Sequence, residues 1–200
     1  MSASDAPPAK RARTDDSSPT PVRSTIWHHD GSVVLEASGT QFRVHWSILT
    51  THSSIFKDMY GVPQPDTPGP MVEGCPVVEL YDDPKDLEYV LGALYNPMLL
   101  GQKSFPFDVV AAFVRLGRKY DFADLRKVGI ERLEAENPST LAGYIAVEAR
   151  KFKLQDIRYR PGYRVDVVNL LQEQQLISSL PYAYYVLACT RKERWLSGQQ

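Results

Sequence analysis

An α+β domain with a helical continuation is what this 200-residue sequence predicts, and three observations predict it. Residues that favour strands gather near the start of the apolar part, where apolar and polar side chains alternate. Apolar side chains then recur at helical spacing through most of the remainder. The two patterns occupy separate stretches of chain, whereas a doubly wound sheet needs strands and helices to alternate throughout.

Residues 1–25 are rich in Ser, Ala, Pro, Thr and Asp and hold almost no large apolar side chain. Such a segment cannot bury enough surface to offset an ordering cost of about 1–2 kcal/mol per residue, so a disordered tail, dispensable for folding, is expected. Lys10, Arg11 and Arg13 form a basic cluster inside it, either a solvated charge run or a signal for nuclear import. Order is expected from Ile26-Trp27, with a domain over 26–137 and a helical extension over 138–200.

Val33–Ala37 and Thr40–Val44 are strand-forming runs separated by Ser38-Gly39, which suits a tight hairpin because glycine reaches positive φ without steric cost. From His45 the period changes, and Ile48, Leu49, Ile55, Phe56 and Met59 predict two short helices broken around 50–53. Proline and glycine crowd 61–76, which reads as a loop, and Val77–Leu80 is a third short strand. Asp83-Pro84 predicts a capped helix start, and Leu87, Val90, Leu91 and Leu94 form its apolar stripe. After a loop over 96–107, Asp108 is the expected cap of the next helix, with Val109, Phe113, Leu116 and Tyr120 on it. Leu125, Val128 and Leu133 mark another helix that ends before Asn137-Pro138. Leu141, Ile145, Ala149 and Phe152 mark a further one, and Val167, Leu170, Leu171, Leu176, Ile177 and Leu180 a final helical zone.

The composition excludes several function classes. Basic and acidic residues number 23 and 24, a net charge of −1, so broad attraction to nucleic acid or an anionic membrane is not expected. Cys75 and Cys189 form no metal-ligand spacing, and so little sulfur favours a reducing compartment, nucleus or cytoplasm. No apolar run approaches the roughly 20 residues that span a bilayer, and the N-terminus lacks the apolar stretch of a signal peptide. His28-His29-Asp30 is a poor metal site, because adjacent residues of an extended segment point to opposite sides and no third ligand is placed. His45 is expected to be a hydrogen-bonded structural histidine at a helix start; of the carboxylates Asp82, Asp83, Asp86 and Glu88, which could be read as an acid–base pair, capping and the helix dipole account for Asp83 and Asp86 without catalysis. Nothing cationic adjoins Cys75 to activate it. With no phosphate loop, dinucleotide fingerprint or serine elbow in the sequence, neither an enzyme nor a cofactor is expected.

The blocks Asp30, Val33-Val34-Leu35, Phe42-Arg43-Val44, His45-Trp46-Ser47-Ile48-Leu49 and Ser53-Ser54-Ile55-Phe56-Lys57-Asp58-Met59-Tyr60 follow one another as in the BTB/POZ family, which the stretch from about 27 to 136 resembles. Val77–Leu80, Leu91–Tyr95 and Leu116–Tyr120 resemble the family's later blocks. Val165–Leu171 followed by Leu180-Pro181-Tyr182-Ala183 is similar to the helical tail of many fungal BTB proteins, where the chain usually continues, so the extension ending at Gln200 is a candidate truncation.

The resemblance implies a cluster of helices flanked by a short sheet, a homodimer, and a scaffold that brings partner proteins together. Some relatives bridge cullin ubiquitin ligases to substrates, and others recruit transcriptional corepressors. The expected dimer or partner interface comprises Asp30, His45, Trp46, Leu49, Met98, Leu99 and Leu100. Two departures bear on the partner. Trp46 stands where corepressor-binding members carry Arg or Lys, and no carboxylate occurs between Tyr95 and Asp108, where cullin-binding members place one. A cullin scaffold is therefore expected to bind weakly or not at all. The reading is a non-enzymatic interaction module, with a nuclear transcriptional cofactor or a cullin adaptor as the alternatives.

Overall fold

The computed structural model describes residues 20–62, 69–150, 153 and 155–196. The cluster Lys10, Arg11 and Arg13, and Phe152, lie outside these residues. The architecture is α+β. Its main sheet has five strands, β1 (Val22–Trp27), β2 (Val33–Ala37), β3 (Thr40–Val44), β4 (Met71–Val72) and β5 (Cys75–Leu80), in the spatial order β1-β3-β2-β5-β4. β2 and β3 form the expected antiparallel hairpin. Ser38 and Gly39 both take positive φ, 44° and 77°, as a two-residue turn matched to strand twist requires. Parallel pairings of β1 with β3 and of β2 with β5 make the sheet mixed.

β1 corrects the start of the ordered chain. Residues 22–25, read from composition as tail, lie in a strand at the sheet edge, with Val22↔Thr40 and Arg23↔Gln41 paired. Two further ties hold it. The Val22 N–H donates to the Gly39 carbonyl at 2.7 Å, and Arg23 pairs with Glu73 at 2.6 Å while its guanidinium lies over the Trp27 ring. A chain that begins at Ile26 is therefore expected to melt several degrees below one that begins at Thr20, since a domain of this size shifts by about 2–4 °C per kcal/mol. Equal midpoints in calorimetry would show that the strand adds nothing.

The segment read as a loop to residue 76 holds a second hairpin, β4–β5, turning at Glu73-Gly74 with φ of 48° and 78°. β5 begins at Cys75, where the Sγ–H donates to the Gly31 carbonyl at 3.0 Å and the thiol is buried.

Eight α-helices are seen among the described residues: α1 (Trp46–His52), α2 (Ser54–Gly61), α3 (Pro84–Tyr95), α4 (Phe107–Lys119), α5 (Ala123–Glu136), α6 (Leu141–Ala149), α7 (Tyr163–Glu173) and α8 (Leu180–Leu196). Ser53 separates α1 from α2 and caps α2 by accepting from the Phe56 N–H at 3.0 Å; Phe56 stacks on Tyr120. Asp83 caps α3 by accepting from the Lys85 N–H at 2.7 Å. α4 starts one residue before the expected cap. Pro106 holds the cap position and Asp108 sits in the first turn, where its charge meets the positive end of the helix dipole.

One core lies between the sheet face carrying Val33, Leu35, Phe42 and Val44 and the helices packed on it. Ile157, Val167, Leu170 and Leu171, from the stretch assigned to an extension, belong to this same core. A two-residue strand β6 (Phe105–Pro106) pairs in parallel with β7 (Ile157–Arg158), stitching the stretch back onto the start of α4. Arg115 reaches from α4 to the carboxylate of Glu173 on α7 with contacts of 3.2 and 3.1 Å.

Candidate functional site

The junction from β3 into α1 carries most of the residues singled out in the sequence. His45 ends the strand and occupies the cap position of α1 without capping it by its side chain. Its ring turns instead to the C-terminal end of α3. The backbone N–H of His45 donates to Tyr95 Oη at 2.8 Å, Nδ1 lies 2.8 Å from the same oxygen, and Nε2 lies 3.2 Å from Asp30 Oδ1. Nε2 thus faces the Asp30 carboxylate and Nδ1 the Tyr95 hydroxyl. His28 stacks on the Tyr95 ring at 4.1 Å between centroids.

The electrostatics follow from this geometry. A backbone hydrogen bond within Asp30 holds its carboxyl below the usual range, and His45 adds to the effect. Burial pushes the Tyr95 phenol up, and the N–H donated by His45 offsets part of that. Both ring nitrogens of His45 are engaged, so the cluster acts as a brace. It locks the strand–helix junction to α3 and leaves Asp30 on the surface.

Trp46 is half-buried beside this brace. Its ring lies 5.4 Å from that of Tyr60 and 6.4 Å from that of Phe56, so it bridges core and surface. Tyr60 is 62% exposed, and Ile55 and Val62 are the other exposed large apolar residues of the α1–α2 unit. Leu49 is a different case. It is fully buried, 0% exposed, in the core, and offers no surface to a partner. Its place in the expected interface is corrected: the α1 stripe that looked like contact surface turns Leu49 inward and leaves Trp46 at the rim.

Two residues beyond Tyr95 begins a short 3₁₀ helix, Pro97–Gly101. Met98 on it is 84% exposed, Leu99 is half-buried, and Leu100 packs against the core. The organiser of this turn is Arg132 on α5, a residue the sequence did not single out. Its guanidinium donates to the carbonyls of Gln102 at 2.9 Å and Lys103 at 3.1 Å, reaches those of Leu100 and Asp156, and lies over the Phe105 ring. Nothing in the local sequence distinguishes Arg132 from a solvated helix residue, because its partners lie 24 to 32 positions away in the chain.

The second residue missed is Glu136. Its side chain is 1% exposed and pairs with Arg150 at 3.2 Å. Oε1 accepts from the N–H groups of Gln155 and Asp156 at 2.7 and 2.8 Å. The carboxylates at the start of α3 are likewise committed. Asp82 binds Lys119 at 2.7 Å and the Tyr120 hydroxyl, and Asp86 faces Arg115 at 3.9 Å, with burial raising its pKa. Comparison with protein-family models and with curated proteins gives no match to this chain.

Proposed function

We propose that this chain is a non-enzymatic protein–protein interaction module, a BTB/POZ-type scaffold that pairs with a second copy of itself and recruits a partner protein. The observation that carries the reading is the aromatic rim on α1–α2. Trp46 is half-buried against Phe56 with Tyr60 exposed beside it, next to a brace that holds the strand–helix junction in place. A large aromatic anchor on a rigid support is the kind of feature that concentrates binding energy. The element order supports the same reading: after β1 come the β2–β3 hairpin, two short helices, the β4–β5 hairpin with β5 parallel to β2, and then mostly helices. The commitment of His45, Asp82, Asp83 and Asp86 to structural partners supports a role in association over catalysis. An intracellular setting, in nucleus or cytoplasm, belongs to the proposal; no helix among the described residues is long and apolar enough to cross a membrane. Light scattering of the full chain at micromolar concentration tests it, with a mass of about twice 22.6 kDa expected and a clean monomer contradicting it.

The exposed Met98 and half-buried Leu99 provide the apolar part of a cullin-type contact, and the turn holds no carboxylate. Glu131, on α5, is paired with Lys127 at 4.0 Å. Losing a charge-assisted hydrogen bond removes about 1.5–3 kcal/mol, one to two orders of magnitude in affinity. Calorimetry against a purified cullin scaffold is expected to find no submicromolar binding. Submicromolar binding lost on Met98→Ala would restore the adaptor reading.

A further inference from the structure

The chain has three Ser/Thr-Pro steps, Ser18-Pro19, Thr20-Pro21 and Thr67-Pro68, and only Thr20 has a basic residue, Arg23, at the third position after it. A protein kinase takes its substrate hydroxyl on an extended segment aligned with the γ-phosphate of ATP. Proline directly after the hydroxyl donates no N–H, so it fits an apolar subsite that would leave any other residue's amide unpaired. A guanidinium further along matches an anionic group on the enzyme with paired donors.

Thr20-Pro21-Val22-Arg23 meets these requirements in the structure as well as in the sequence. Thr20 is exposed and leads directly into β1, so the segment is already extended, and β1 is an edge strand with one side of its backbone unpaired in the sheet. The start of that strand is held by its edge pairing, by the Val22 N–H to the Gly39 carbonyl and by the Arg23 contacts. Val22 and Arg23 pair with Thr40 and Gln41, and the register then breaks until Trp27 meets Arg43. The Arg23 side chain is more than half exposed, yet its guanidinium is engaged by Glu73 at 2.6 Å. Glu73 also holds Arg43 at 2.8 Å, so one carboxylate ties the edge strand to the neighbouring one.

We propose that Thr20 is a phosphorylation site for a proline-directed protein kinase, with Arg23 as the recognition cation for which Glu73 competes. The γ-phosphoryl group of ATP passes to Thr20 Oγ1. The bond from γ-phosphorus to the bridging oxygen breaks, ADP leaves with that electron pair, and the hydroxyl proton goes to a base of the kinase. The product places about −1.5 to −2 charges at the foot of β1. Docking of β1 through Glu73 thereby sets how readily the site is read.

The test is phosphorylation of the full chain by a cyclin-dependent kinase with ATP, with initial rates followed site by site by mass spectrometry. Thr20 is expected to be labelled fastest of the three Ser/Thr-Pro sites. Arg23→Gln is expected to slow Thr20 by about tenfold or more, the factor lost with one charge-assisted hydrogen bond, while the rates at Ser18 and Thr67 stay unchanged. Glu73→Gln, which removes the ion pair and leaves Arg23 only its contact with the Trp27 ring, is expected to speed Thr20 several-fold. Labelling of Ser18 or Thr67 without Thr20, or an unchanged Thr20 rate in Arg23→Gln, would overturn the site. An unchanged rate in Glu73→Gln would overturn the competition.

Discussion

Glu136→Ala is expected to destabilise the protein by about 3–5 kcal/mol, the cost of breaking a buried ion pair by removing one partner. The side chain is almost wholly shielded from water, and three groups depend on it: the Arg150 guanidinium and the N–H groups of Gln155 and Asp156. Alanine leaves both amides without their acceptor and leaves Arg150 with the Ala135 carbonyl and solvent alone. The amides belong to the stretch leading into β7, so their loss also loosens the β6–β7 pairing and, with it, the contact of Ile157 with the core. Glu136→Gln keeps one acceptor oxygen and is expected to lie between the parent and alanine. Arg150→Ala is expected to cost less than Glu136→Ala, because the Arg150 side chain reaches solvent and the carboxylate it leaves behind keeps both amide donors. Urea unfolding measures all three. A loss under about 1 kcal/mol for Glu136→Ala, the level of an exposed pair, would show that the carboxylate does not hold the C-terminal helices to the rest.

Gly117→Ala is the second large effect expected, at about 1–3 kcal/mol or more. α4 and α5 pack closely, and a Cβ at residue 117 would fall 2.7 Å from Arg126 Cβ, 3.0 Å from its Cα and 3.1 Å from its N. Those atoms sit at the backbone of the facing helix, so no rotamer change relieves the clash and the two helices must separate. The reciprocal position, Gly129, is as tight: an added Cβ meets Cγ2 of the buried, β-branched Val114 at 2.6 Å and the Val110 carbonyl oxygen at 3.3 Å, so Gly129→Ala is expected to be destabilising as well. Gly92 on α3 is the internal control, with nothing within 4 Å of an added Cβ. There alanine is expected to stabilise by a few tenths to about 1 kcal/mol through helix propensity. Equal effects at 117 and 92 in thermal melts would contradict the close approach.

What could be read in the sequence was local. The Ser38-Gly39 turn, the Asp83-Pro84 helix start and the stripe Leu87, Val90, Leu91, Leu94 each announce themselves within a few residues, and the structure places them as expected. What escaped was set by distant partners. β1 carries Arg, Ser and Thr because it is an edge strand, so its composition resembles a tail; its pairing with β3 is parallel and unrelated to any turn. The β4–β5 hairpin was hidden by the prolines and glycines around it. β6 and β7 are two residues each and about 50 positions apart, and Glu136 looks like any helix-end carboxylate until the amides of 155 and 156 arrive beneath it. At the candidate site the residue types were legible and their sides were not. Tyr95, which joins His28 and His45, had no signal beyond its place in a family-like block. Leu49 sits in an apolar stripe that looks the same whether it faces core or partner. Helical spacing defines a stripe, and only the neighbours decide what covers it.

The proposed dimer meets through α1–α2. Tyr60→Glu tests it most directly, because Tyr60 is exposed and the substitution leaves the core untouched while placing two like charges at a shared contact. Sedimentation equilibrium of the parent and of this variant is the measurement, with the melting temperature recorded alongside. A dimer is expected for the parent, a monomer of about 22.6 kDa for Tyr60→Glu, and similar unfolding of the monomeric unit. A parent that is monomeric at every concentration, or a variant that stays dimeric with unchanged affinity, would contradict it.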